Sequence, residues 1–201
     1  MPSVNATPVS REVRISVGDI WLYGDLVTPP GFQGLVLFAH GSGSGRHSAR
    51  NRQVAQHLQH VGIATLLFDL LTAQEEQTDL NTREHRFDIS LLTRRMQDAT
   101  AWAAAQPELQ YAAIGYFGAS TGSAAALFAA ARLGHQIAAG PLEQAAQLVC
   151  SWFATHLAVP QHSMTAVNLP FRNRRHAGRV LAGKLNACRR AGVVAPVKGP
   201  T

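Results

Sequence analysis

The chain has 201 residues, 46% of them hydrophobic and 15% charged, and a net charge of +6. That composition suits one domain with a full apolar core and excludes both a charged disordered chain and two compact domains. No run approaches the ~18 apolar residues of a membrane span. Residues 1–10 show no apolar stretch behind a basic start, and Cys150 and Cys188 form no metal or redox motif. The expected setting is cytoplasmic, with no membrane contact and no disulfide framework.

The positive charge is local. Eight of the 18 Lys and Arg lie in residues 171–201, which hold no acid, so residues 1–170 set ten bases against twelve acids, about −2. Residues 158–201 are expected to be a basic, disordered tail, residues 1–10 a flexible N-terminus, and residues 11–157 the domain. A basic tail can meet nucleic acid, but no aromatic or motif context accompanies this one, and no such partner is expected.

In chain order, residues 11–29 alternate apolar and polar around Gly18-Asp19, the mark of a β-hairpin. Residues 35–39 are wholly apolar and end at His40-Gly41, as a strand buried on both faces does. Residues 48–61 read as a helix with Val54, Ala55, Leu58 and Val61 on one face. A second buried strand covers residues 64–68 and ends at Asp69. Residues 73–87, polar and charged, read as a long surface loop. Residues 89–105 form a helix, 112–117 a third buried strand, 120–132 an alanine-rich helix and 142–157 another. Strands alternating with helices predict an α/β fold, a mostly parallel sheet with helices on both faces.

The third buried strand runs into Gly118-Ala119-Ser120-Thr121-Gly122. A G-x-S-x-G pattern carries chemistry when it joins a strand to a helix. The serine then sits on a strained turn, with its hydroxyl at the helix N-terminus, where free N–H groups favour developing negative charge. The plainer reading is a tight turn with Ser120 as a helix cap. The glycine-rich loop after the first buried strand supports the chemical reading. There Gly41 lets the backbone approach closely and Ser42 is placed to give an N–H to an oxyanion, beside that of Thr121. A phosphate-cradling loop is the competing reading, but the glycines are spaced G-x-G-x-G rather than G-x-G-x-x-G.

Four segments, LVLFAHGSGSGRHS at 35–48, LLFDLLT at 66–72, RFDISLL at 86–92 and GYFGASTG at 115–122, resemble the dienelactone hydrolase-like branch of the α/β-hydrolases over roughly residues 10–157. The resemblance implies the hydrolase fold, a Ser–Asp–His triad, small ester or lactone substrates and no cofactor. Dienelactone hydrolases proper use cysteine where Ser120 stands, so lactone specificity does not follow. The family's histidine corresponds to His135, the nominal base.

Two expectations qualify this. In this fold the acid and histidine follow the nucleophile in sequence, yet the only acid after Ser120 is Glu143. A helix over residues 120–132 is about 20 Å long and carries the chain away from Ser120. Three residues recover at most about 10 Å. His135 is therefore expected to stand apart from Ser120, with His40 and His47 nearer by topology. The shortened sheet would also leave residues 112–117 at an open edge, closed by a homodimer or by a segment such as residues 136–139. Function is expected to be acyl transfer by Ser120, or else a catalytically silent hydrolase remnant that binds a small ligand or a protein.

Overall fold

The structure is a computed structural model that describes residues 7–139. Two strands open it. In β1 (Val9–Val17) Val13 and Ile15 face inward, and in β2 (Ile20–Thr28) Leu22, Gly24 and Leu26 do so, with outward neighbours between them. Gly18, at φ 57°, supplies the turn. β1 takes in Val9 and Ser10, the last two residues of the stretch expected to be flexible.

β3 (Gly34–Ala39), β4 (Ala64–Phe68) and β5 (Ala113–Gly118) are buried almost throughout, as their apolar runs require, and the one polar side chain among them that is buried outright apart from Tyr116, Thr65 of β4, accepts a hydrogen bond from Gln59 Nε2. With β6 (Gln136–Ala139) they complete a six-stranded sheet in the order β1-β2-β4-β3-β5-β6. β1 and β2 pair antiparallel, as do β2 and β4, and every pair from β4 to β6 is parallel. The expected sheet and hairpin are both present.

Helices cover the two faces. Leu58 of α1 (Ala49–His60) packs with Phe38, Leu67 and Phe117 on one side. Met96 of α3 (Ile89–Ala104) and Ala126 of α4 (Thr121–Leu133) pack with Leu37, Leu66 and Tyr116 on the other. Each large side chain buried this way contributes about 2 kcal/mol. Ser48 caps α1 through the Asn51 N–H, and Asp88 caps α3 through the Leu91 N–H. Among the described residues, no helix is long and apolar enough to cross a membrane.

Two expectations are corrected. Val61 does not face the core; it follows the last turn of α1 and is 53% exposed. Residues 73–87 are not a loop but α2 (Ala73–Thr82) and a 3-10 turn at His85–Phe87. Thr72 and Glu75 form a capping box that starts α2, and the buried carboxylate of Asp79 accepts the N–H groups of His85 and Arg86 and the Arg86 side chain. The β5 edge is closed in the second of the two ways expected, by residues 136–139 as β6, which pairs with it from Gly115↔Gln136 to Gly118↔Ala139. The helix expected at 142–157, with Glu143, and the basic tail lie outside the described residues.

Candidate active site

Ser120 stands beyond the end of β5 with one residue, Ala119, between, at φ 52° and ψ −122°. A non-glycine residue in such a region carries strain of order 1–3 kcal/mol and persists only where its surroundings hold it. Here they do. The Ala119 N–H donates to Ala39 O at 3.1 Å, extending the β3–β5 ladder by a residue. The Gly122 N–H returns to Ala119 O at 2.9 Å and the Ser123 N–H to Ser120 O at 3.0 Å. Ser120 occupies the N-cap position of α4, yet its hydroxyl makes no capping hydrogen bond. The side chain is exposed, so its backbone is fixed while its hydroxyl is left available.

The loop after β3 meets this turn. A β-carbon on Gly41 would lie 3.2 Å from the Ser120 Cβ and 3.3 Å from Ala119 O, so a side chain there would press on the Ser120 turn, and glycine leaves the two backbones in close approach. His40, buried at the end of β3, orients the loop. Its Nε2 accepts the Leu70 N–H at 3.0 Å, which leaves the proton on Nδ1 to be donated to Gly41 O at 3.0 Å. Gly41 O also accepts the Ser44 N–H at 3.2 Å. With its carbonyl held on that side, the trans peptide turns the Ser42 N–H to the other. Neither this N–H nor that of Thr121 has a hydrogen-bond partner among the described residues. Burial pushes the His40 pKa down, against the opposing effects of the Gly41 carbonyl and Asp69. His40 is thus neutral with both nitrogens occupied, and its work is structural.

Ser42 and Thr121 line a cavity of about 610 Å³ that runs under α2, with Asp69, Leu71, Glu76 and Leu80 among its walls. The Thr121 Oγ1 is buried without a hydrogen-bond partner among the described residues. The Glu76 carboxyl is pushed above its ordinary pKa, first by desolvation and then by the Asp69 and Asp79 carboxylates.

The structure brings Gly41, Ser42, Ser120 and Thr121 together and leaves His135 elsewhere. α4 runs its full length to Leu133, and a parallel crossover must return the chain to the starting end of the sheet. Gln136 stands opposite Gly115, so His135 is level with Ile114, four residues before β5 ends at Gly118. That is about 13 Å back along the strand, with Ser120 still beyond. The His135 ring packs edge-on against Tyr116 at 5.5 Å, and its buried Nδ1 has no partner among the described residues. Burial pushes its pKa down. His47 is exposed and its Nδ1 accepts from Arg52. No described imidazole hydrogen-bonds the Ser120 hydroxyl. Nor is any group of three or more His, Cys, Asp or Glu among the described residues placed to hold a metal ion.

Sequence reasoning missed two contributors. One is α2, which the capping pattern Thr72-x-x-Glu75 would have revealed. The other is Arg46, whose contacts are distant in sequence.

No family model matches the chain. Dienelactone hydrolase from Anabaena variabilis is 53% identical and superposes with a TM-score of 0.64, over 66% of this chain and 62% of that one. A cold-adapted esterase from an Arctic intertidal metagenomic library is 17% identical with a TM-score of 0.53, covering 69% of this chain and 62% of its own, a likeness of fold alone. A protein of Mycobacterium tuberculosis, found in two strains and named provisionally as a phosphoribosyl transferase, is 52% identical over 121 residues. The match covers 60% of this chain and 26% of that protein, so the chain spans about a quarter of the length of these curated relatives.

Proposed function

We propose that this chain, which carries a truncated α/β-hydrolase fold similar to that of dienelactone hydrolase, is a serine hydrolase of the dienelactone hydrolase-like type. It would cleave small esters or lactones in the cytoplasm by acyl transfer. The observation that carries the reading is Ser120 itself: a strained, uncapped serine at a strand–helix turn, beside a cavity and two unengaged N–H groups.

In this reaction the Ser120 Oγ attacks the substrate carbonyl and gives up its proton to a base. The carbonyl oxygen, now an anion, is received by the N–H groups of Ser42 and Thr121. Collapse expels the alcohol, which takes the proton, and water then releases the acyl group from Ser120. Since His40 is committed and His135 is remote, the base would come from residues 140–201. His156, His162 and His176 stand there after Ser120 in chain order, as does Glu143. Such a base contributes about 10²–10⁴ in rate.

A second reading, a hydrolase fold that binds a small ligand without turning it over, is favoured by the commitment of both His40 nitrogens and the placing of His135. Labelling with a fluorophosphonate separates the two. The serine-hydrolase reading expects wild-type protein to label and Ser120→Ala not to; a wild-type chain that does not label leaves the binding reading. The transferase name of the mycobacterial proteins describes proteins of which this chain matches a quarter.

A further inference from the structure

The loop that carries Ser42 is fixed at its near end by His40. Its far end is fixed by Arg46. The Arg46 N–H donates to the Asp69 Oδ1 at 2.8 Å. Its guanidinium, only 12% exposed, reaches carboxylates on two strands and just past the end of a third. Nη2 lies 2.8 Å from the Glu12 Oε2 of β1, Nη1 3.3 Å from the Asp25 Oδ1 of β2, and Nε 3.3 Å from the Asp69 Oδ2 after β4, this last an ion pair without a hydrogen bond. The guanidinium also lies over the Tyr23 ring, 5.8 Å from its centre. Asp69 is held in turn, its N–H donating to Tyr23 O at 2.9 Å. The fit at Gly45 is close, since a β-carbon there would come within 2.8 Å of the Asp69 Oδ1.

An exposed ion pair contributes little, but this is a different case. One largely buried fork spans three carboxylates and offsets their mutual repulsion, with the Arg52 Nη2 a second cation 3.2 Å from the Asp25 Oδ2. We infer that Arg46 is a positioning residue: by gripping Glu12, Asp25 and Asp69 it holds the far end of loop 41–48 and keeps the Ser42 N–H aimed at the cavity beside Ser120. The catalytic half of this inference rests on the serine-hydrolase reading. The clamp itself does not. Lysine keeps the charge but, as a single ammonium, cannot satisfy three carboxylates at once, so it should restore only part of what glutamine loses.

The test compares full-length wild type, Arg46→Gln, Arg46→Lys and Asp69→Asn. Amide hydrogen exchange is followed across residues 41–48, where the Ser44, Arg46 and Ser48 N–H groups are bonded. Thermal melting checks the fold. Hydrolysis of p-nitrophenyl acetate is measured per fluorophosphonate-titratable serine. Arg46→Gln and Asp69→Asn should speed exchange in 41–48 about tenfold or more while β3 and β5 stay protected, and Arg46→Lys should fall between. The turnover number should drop about tenfold or more with KM within about threefold, because an oxyanion donor acts on the transition state. A merely structural role would lower the melting temperature and leave turnover per titrated serine unchanged. Unchanged exchange, or unchanged turnover per titrated serine, overturns the inference. A wild type that neither labels nor hydrolyses defeats the serine-hydrolase reading and the catalytic half with it, and the exchange measurement still decides the clamp.

Discussion

Gly122 lies so close to Ala39 that a β-carbon at position 122 would sit 2.1 Å from the Ala39 carbonyl oxygen and 2.4 Å from that of His40. Both obstacles are main-chain atoms at the end of β3, and neither can rotate away. Gly122→Ala must push α4 off the sheet, at an expected cost of about 3 kcal/mol in unfolding free energy. Urea titration measures this. Stability equal to wild type would show that α4 has room to move.

Ser120 offers the opposite experiment. Its φ of 52° and ψ of −122° suit glycine. Relief of strain of order 1–3 kcal/mol, less about 0.5–1 kcal/mol of added chain entropy in the unfolded state, should make Ser120→Gly more stable by about 1 kcal/mol. Ser120→Ala, which keeps the strain, should gain nothing. Both should lose fluorophosphonate labelling. A Ser120→Gly protein less stable than Ser120→Ala would mean that the turn is relaxed.

Burial lowers the pKa of both His40 and His135. A histidine depressed in the folded state binds its proton more readily once unfolded, so stability falls as pH drops below about 6.5. Above that value neither form is protonated and the effect vanishes. Glu76, raised by burial and its acidic neighbours, works in the opposite sense and only nearer its own carboxylate range. Unfolding free energy should therefore decline from pH 7.5 to 5.5, and His135→Phe should flatten the decline. The same variant should change any ester turnover by less than tenfold, against about 10²–10⁴ for a general base. A steeper slope in His135→Phe would contradict the assignment.

Asp79 fixes α2 to the turn that follows it. Burial alone would raise its pKa, but the Arg86 side chain and the N–H groups of Arg86 and His85 outweigh that and lower it. Its contribution is present above the ordinary aspartate value and is lost as pH falls through the depressed one. Asp79→Ala leaves Arg86 without its carboxylate, though not the residue 79 carbonyl that its Nη2 also reaches, and should cost roughly 3 kcal/mol by urea titration at neutral pH. A cost under ~0.5 kcal/mol would show that α2 is held by other means.

Most of the sheet was legible because burial wrote itself into composition. Residues 35–39 and 112–117 are apolar without interruption and 64–68 apolar but for Thr65, and strands covered on both faces are where such runs belong. Ser120, Thr121, Gly41 and Ser42 were legible as two local motifs at strand ends. α2 was hidden because its one buried residue is Asp79, and an apolar periodicity cannot register a helix held by a capping box and a charge cluster. Arg46 was hidden for another reason. Its partners lie 21 to 34 residues away, and nothing in the loop's own composition names them.

That spacing also orders events in time. Loop 41–48 can close only after the hairpin and β4 are both in place, since its clamp takes carboxylates from all of them. Contacts of long sequence separation form late, because the chain entropy of closing the intervening loops is lost first. During refolding from urea, the far-ultraviolet dichroism of the helices should therefore return before reactivity toward a fluorophosphonate. A chain emerging from synthesis would hold a serine and no oxyanion pocket, chemically quiet until its last ion cluster locks.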